Sequence, residues 1–228
     1  MTDSKVIVAI RGGGPTRADA DDLVERCMAA GATRMQVNLS DDAVSGAMRI
    51  DELDPPIVAV LSFWAPDPDP VLAVVDDELD GPIAVWEVTA RAPLNPNLPA
   101  DGTRIDALSN IAFLRRPDEL DHAEWLRRWL DDHTQVAIDT QATFGYVQNI
   151  VERPLTEDIP PVAAIVEELF PMAAVSDIHA FYGSGGDQLE LERRMTLMLE
   201  SVSRFGADRH LDVVPTSRYD FDLSRSRT

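Results

Sequence analysis

Few side chains in this sequence combine a reactive type with a position where it could be used. His133 stands four residues after Trp129 and eight after Trp125, a spacing that gathers all three on one face of a helix. An imidazole is the side chain most easily tuned for proton transfer near neutral pH. His133 is therefore a candidate acid, base or ligand, with Trp129 a candidate wall of the site it would serve. A histidine at the end of a helix is also stabilised by the helix dipole when protonated, and that structural reading stands beside the chemical one. Glu167 stands in the largely apolar run from Val162 to Phe170. Burial would raise its pKa and make it a usable general acid or base; pairing with a buried arginine, or a place at a strand edge, is the structural alternative. His133 and Glu167 are the catalytic candidates.

Tyr146 and Gln148 project to one face of a strand and Asn149 to the other. Facing a cavity, the first two would orient a carbonyl or a phenol; beneath helices they would be satisfied core groups. His179 and Tyr182, with Phe181, sit in a stretch containing Gly183, Gly185 and Gly186, which reads as a hinged lid over a substrate or simply as a loop. The substrate-binding candidates are thus Tyr146, Gln148, Trp129, His179 and Tyr182. Gly12-Gly13-Gly14 lacks both the Gly-Lys-Ser/Thr ending and the spacing of a phosphate cradle. His122 and His133 fall on different helical faces, so no metal is expected, and no cofactor is expected either. Cys27, between Val24 and Met28 at helical spacing, reads as a small core hydrophobe.

The elements that must position these residues follow from periodicity and turn chemistry. Lys5 to Arg11 is an apolar strand stopped by the three glycines, and Asp19 to Ala30 repeats Leu23, Val24, Cys27 and Met28 at helical intervals before Gly31. Thr33 to Leu39 and Pro56 to Trp64 read as strands, a helix begins with Asp69 as N-cap and Pro70 at its first position, and Pro82 to Thr89 is a fourth strand. The order is βαββαβ. A proline-spaced linker is expected over 92–108, after which the order repeats: a strand from Asn110 to Arg115, a helix entered at Asp121 with Glu124 three residues on, strands at Thr143 to Val151 and Val162 to Phe170, a helix through Leu191, Met195 and Val202, and a short edge strand from Asp212 to Tyr219 that tolerates Pro215. The expected organisation is a half over 1–91, the linker, a second half over 109–222 and a frayed tail over 223–228.

A four-stranded sheet of this kind covers one face with its two helices. Here Pro56 to Trp64 and Val162 to Phe170 are largely apolar on both alternating sets of side chains, so the second face also needs a cover. The expected fold class is α+β, tandem ferredoxin-like repeats forming an intrachain α/β barrel, with a cavity between the two sheets. Two separate domains that each dimerise through the bare face are the alternative, so both a monomeric barrel and a homodimer stay open. With 40 acidic against 20 basic residues and a formal charge of −20, neither nucleic acid nor an anionic membrane is an expected partner. The opening residues lack a cationic and apolar leader pattern and no later run approaches a membrane span, which leads to the expectation of a cytoplasmic protein.

Three stretches of the second half carry a family likeness: Trp125-Leu-Arg-Arg-Trp129-Leu-Asp-Asp-His133, then Gly145-Tyr146-Val147-Gln148-Asn149, then Ile165-Val166-Glu167 with Phe170. Residues 109–222 resemble the EthD family of dimeric α/β-barrel proteins, and 5–91 look like a diverged copy without the helical histidine, the Tyr-x-Gln-Asn run or the glutamate. Glu168-Leu169 stands where that family more often has a leucine and a large aromatic. The resemblance implies a cofactor-independent enzyme moving protons on a hydrophobic, aromatic or polyketide-like small molecule: a cyclase, dehydratase or decarboxylase. It equally leaves open an oxidoreductase-linked role in a degradation pathway, and a carrier protein with no chemistry is a reading from another class.

Overall fold

In a computed structural model, which describes residues 3–79, 81–157, 159 and 161–222, the first half runs β1 (Ser4–Arg11), α1 (Arg17–Ala29), β2 (Arg34–Leu39), β3 (Ile57–Ala65), α2 (Asp69–Glu78) and β4 (Ile83–Leu94). Helix α1 starts two residues earlier than its apolar repeat suggests because Thr16 and Asp19 form a reciprocal capping box that satisfies two free backbone N–H groups. At α2 the expected cap is displaced. Asp69 is already helical, and the carboxylate that receives its N–H is that of Asp67, at 3.2 Å. The stretch 92–108, expected as a linker, holds the end of β4 and a further strand, β5 (Asp101–Arg104), which pairs with the last strand.

The second half continues with β6 (Leu108–Leu114), α3 (His122–Arg127), a π-helical segment (Arg128–His133), α4 (Thr134–Thr140), β7 (Gly145–Pro154), β8 (Ala164–Phe170), α5 (Ile178–Tyr182), α6 (Gln188–Ser203) and β9 (Leu211–Asp222). The expected tail over 223–228 lies outside the described residues. The strand order within the first half is β2-β3-β1-β4 and within the second β7-β8-β6-β9. These are the same permutation of first to fourth strand, as a βαββαβ unit requires. The halves join at β4–β7 and again at β2–β9, so eight antiparallel strands form a closed ring. Closure removes every edge in the ring, and α/β barrel within one chain is the observed architecture.

The last strand departs most from expectation. It is twelve residues long and lies in the middle of the ring, pairing with β6 along Leu211–Thr216 and with β2 along Ser217–Asp222. Pro215 is tolerated for a local reason. Val213 sends its N–H to Ile50 at 2.9 Å, so the nitrogen two residues on faces the same side, in the gap between the Ile50 bridge and the start of the β2 pairing at Leu39–Ser217. No ladder bond is lost where no partner strand exists.

The barrel interior is filled, which corrects the expected cavity between the sheets. Ile7, Val60 and Trp86 from one half interlock with Ile111, Phe113, Ile165 and Val214 from the other, with Trp86 and Phe113 ring centroids 5.6 Å apart. A separate layer under α1 and α2 contains Val8, Leu23, Cys27, Leu61 and Val75. A third, under the helices of the second half, contains Trp125, Trp129, Tyr146, Val166 and Phe205. Cys27 is a core residue as expected, its thiol pushed up to about 12 by burial.

Candidate functional site

The expected catalytic pair is split by the sheet. Glu167 faces into the barrel. Its carboxylate accepts from Lys5 Nζ at 2.6 Å, Gln36 Nε2 at 2.6 Å and Asn149 Nδ2 at 2.8 Å, and Arg218 stands 3.9 Å away. Burial alone would push this carboxyl up, but the Lys5 and Arg218 charges and the hydrogen bonds from Lys5 and Gln36 outweigh it and hold the carboxyl down at about 2. A carboxylate so engaged is fixed in its ionised form, with three of its roughly four acceptor positions taken by the protein. The nearest cation is Lys5, the single lysine of the chain, and the buried arginine expected as the structural alternative is present as well, as Arg218.

His133 faces the other way, under α6. Its Nδ1 lies 2.9 Å from Ser201 Oγ and its ring packs on Phe205 at 4.9 Å. Burial lowers its pKa to about 4, so the imidazole is neutral at pH 7 and the dipole-stabilised imidazolium is not its resting form. The π-helical turn shapes this position. Where the helix widens to i→i+5 bonding, the Thr134 hydroxyl turns back to the Leu130 carbonyl at 2.7 Å, and the Trp125 and Trp129 rings pack at a tilt with centroids 5.3 Å apart. The expected alignment of Trp125, Trp129 and His133 thus holds through a change of helix type, and all three are buried.

A cavity of about 340 Å³ lies between these helices and the outer face of the second sheet. Its lining brings together Trp129, His133, Tyr146 and Tyr182 of the expected residues. It does not include Gln148, which is wholly buried and donates to Thr134 Oγ1 at 3.0 Å and to the Tyr146 hydroxyl at 3.3 Å. Nor does it include His179, whose Nδ1 meets Ser184 Oγ at 2.7 Å within the turn after α5. The glycine-rich stretch itself forms helix α5 and delivers Phe181 and Tyr182 to the cavity wall, Phe181 stacking on Phe170 at 4.3 Å. Met48 and Ile50 arrive from the first half, held by the Ile50–Val213 bridge.

The residue that sequence reasoning passed over is Glu168. In the sheet register it lies directly between Asn110 of β6 and Tyr146 of β7, and it faces the cavity. Among the described residues it has no hydrogen-bond or ion-pair partner, and its Oε1 is buried. The residue as a whole is half-buried, and desolvation of its side chain raises the carboxyl to about 7. Burial raises Tyr146 beyond any physiological titration, with Glu168 adding to the effect. Two neighbouring glutamates therefore do opposite things, because adjacent strand residues point to opposite sheet faces. A signal was available: the lone lysine inside an apolar first strand called for a buried acidic partner, and only one of the two glutamates can serve it.

The cavity thus pairs a carboxyl poised near neutrality with a neutral imidazole, inside aromatic walls. Such a set can accept and return a proton. No cluster of side chains able to hold a metal ion occurs among the described residues.

Neither a protein-family model nor a curated protein matches the sequence. Solved structures do match in fold. An anthrone oxidase-like protein superposes with a TM-score of 0.59 at 10% identity, over 96% of this chain and 92% of its own. A chlorite dismutase variant from Candidatus Nitrospira defluvii gives 0.51 at 10%, over 98% and 94%. A monooxygenase-like protein from Lactobacillus acidophilus NCFM gives 0.50 at 9%, over 98% and 97%. At such identities the likeness is one of fold: this chain has the dimeric α/β-barrel architecture over nearly its whole length. Among the described residues no helix is long and apolar enough to cross a membrane.

Proposed function

We propose that the chain is a small-molecule enzyme that holds a hydrophobic, aromatic or polyketide-like substrate in the cavity beneath α6 and moves a proton on it, with Glu168 as acid or base and His133 as its partner. The observation that carries this reading is Glu168 itself: an unpaired carboxyl near neutral pKa, in a cavity, is costly to keep and is what general acid–base chemistry needs. Tyr146 and Trp129 orient the ring system, and Tyr182 closes one wall. The likeness of residues 109–222 to the EthD family supports a cofactor-independent cyclase, dehydratase or decarboxylase. Glu167 is assigned to the architecture, as the anion that neutralises Lys5 inside the barrel. The first alternative, an oxidoreductase-linked role, draws support from the anthrone oxidase-like and monooxygenase-like neighbours. The test is turnover of aromatic and polyketide-like substrates by the wild type and by the Glu168→Gln and His133→Ala variants. Each substitution is expected to lower kcat at least about 100-fold, and unchanged turnover in both would refute the assignment. Substrate retained without any turnover would favour a carrier.

A further inference from the structure

Most of the unpartnered polar atoms that line the cavity are acceptors. Besides Glu168 Oε1, the side-chain oxygens Asn110 Oδ1 and Gln141 Oε1 are buried with no hydrogen-bond partner, and all three residues line the same space. A buried acceptor left unpaired is costly, so three converging on one cavity are an arrangement completed by donors from a guest. The charge points the same way. The only charged side chains of the lining are the acidic Glu168 and Asp208, and neither lysine nor arginine is among them. The remaining titratable groups facing Glu168 across the cavity are His133, held neutral by burial, and the hydroxyls of Tyr146 and Tyr182, which burial keeps protonated. The one other orphan of the lining, the indole N–H of Trp129, is turned to the Tyr146 hydroxyl, outside good hydrogen-bond geometry.

We infer that the ligand of this cavity presents hydrogen-bond donors on an uncharged aromatic body, as a phenol or enol does, and that the site rejects carboxylates and other anions. The inference rests on the cavity being the ligand site. It deepens that reading by fixing which end of the ligand goes in. The donor-bearing edge lies against the row Asn110, Glu168 and Tyr146 on the sheet, while the apolar body lies among Trp129, Met198, Val202 and Phe205. The mouth suits the entry of such a molecule, since Met48 and Leu199, each 62% exposed, flank it with apolar surface.

Three probes that share one skeleton separate the possibilities: naphthol, methoxynaphthalene and naphthoate, substituted at the same carbon and titrated calorimetrically into the wild-type chain at pH 8. The expected order is naphthol tightest, with methoxynaphthalene weaker by about tenfold, the worth of one hydrogen bond to a buried acceptor, and naphthoate weaker again. Glu168→Gln should recover naphthoate binding, and Asn110→Leu should weaken naphthol while leaving methoxynaphthalene unchanged. The wild-type order decides the matter even if a variant folds poorly. Naphthoate binding as tightly as naphthol, or methoxynaphthalene doing so, would overturn the inference and leave the cavity as the ligand site. Binding of none of the three would overturn both.

Discussion

Replacing Glu168 with glutamine should stabilise the protein, and should do so more as the pH rises. The carboxyl moves from an ordinary value of 4.5 to about 7 on folding because burial penalises its charge. Below pH 4.5 it is protonated in both folded and unfolded chains and contributes nothing to the pH dependence. Between 4.5 and 7 only the unfolded chain gives up the proton, so the folded state loses ground with each unit; above 7 both are ionised and the deficit stays constant. At about 1.4 kcal/mol per pH unit the full deficit is about 3 kcal/mol. Because the carboxyl opens on a cavity that water can enter, about 1–3 kcal/mol is the working figure. Glutamine keeps the shape and cannot ionise, and whatever its amide costs in lost hydrogen bonds is independent of pH. The assay is urea unfolding of both proteins, followed by tryptophan fluorescence, at intervals from pH 4 to pH 8. The stability difference, variant minus wild type, should climb by about 1–3 kcal/mol across that range, or roughly 2–4 °C in Tm for each kcal/mol. A difference that stays flat would mean that folding leaves the carboxyl unperturbed, and one that grows toward acid that it has a cationic partner; either would remove the basis for its proposed chemistry.

His133 should titrate by NMR with an apparent pKa near 4 and stay neutral at pH 6. The stability linked to its neutral form is present above pH 6.5 and is lost as the pH falls from 6.5 towards 4; a titration midpoint above 6 would contradict the burial described for it. Lys5→Met and Glu167→Gln should each cost about 3–5 kcal/mol, because each removes the nearest partner of a buried charge, with Lys5→Met at the lower end since Arg218 still faces Glu167. The double variant Lys5→Met with Glu167→Gln should cost less than the sum, and strict additivity in this double-mutant cycle would show the pair to be uncoupled. Cys27, buried with its thiol at about 12, should react with a thiol-specific reagent at pH 8 only on unfolding, so rapid labelling of the native chain would refute its core placement.

Strand and helix order was legible because alternation and turn chemistry are local, and the need for a second cover over apolar strands led to the closed barrel. What was not legible depends on partners far away in sequence. Glu167 and Glu168 sit side by side in an apolar strand, and nothing within ten residues says which one meets Lys5, 162 residues distant. The choice is made by the register of β8 against β6 and β7. The placement of the cavity failed for a similar reason: bulky side chains such as Trp86 and Phe113 fill the barrel, a packing outcome that strand patterns do not reveal. Pro215 read as an edge signal, although the edge it requires is only a short gap in the pairing of an inner strand. The widening of the helix before His133 left no mark in the apolar repeat.

The position of β9 in the ring also bears on how the protein is made. Until residues 211–222 have been synthesised, the chain emerging from the ribosome can form only an open sheet of seven strands, ordered β2-β3-β1-β4-β7-β8-β6, with β2 and β6 both offering unpaired backbone groups. An open edge recruits strands from other molecules. Nascent or truncated chains that lack β9 should therefore take up a strand from a neighbour or aggregate, and the twelve residues of β9 act as the latch that ends that exposure.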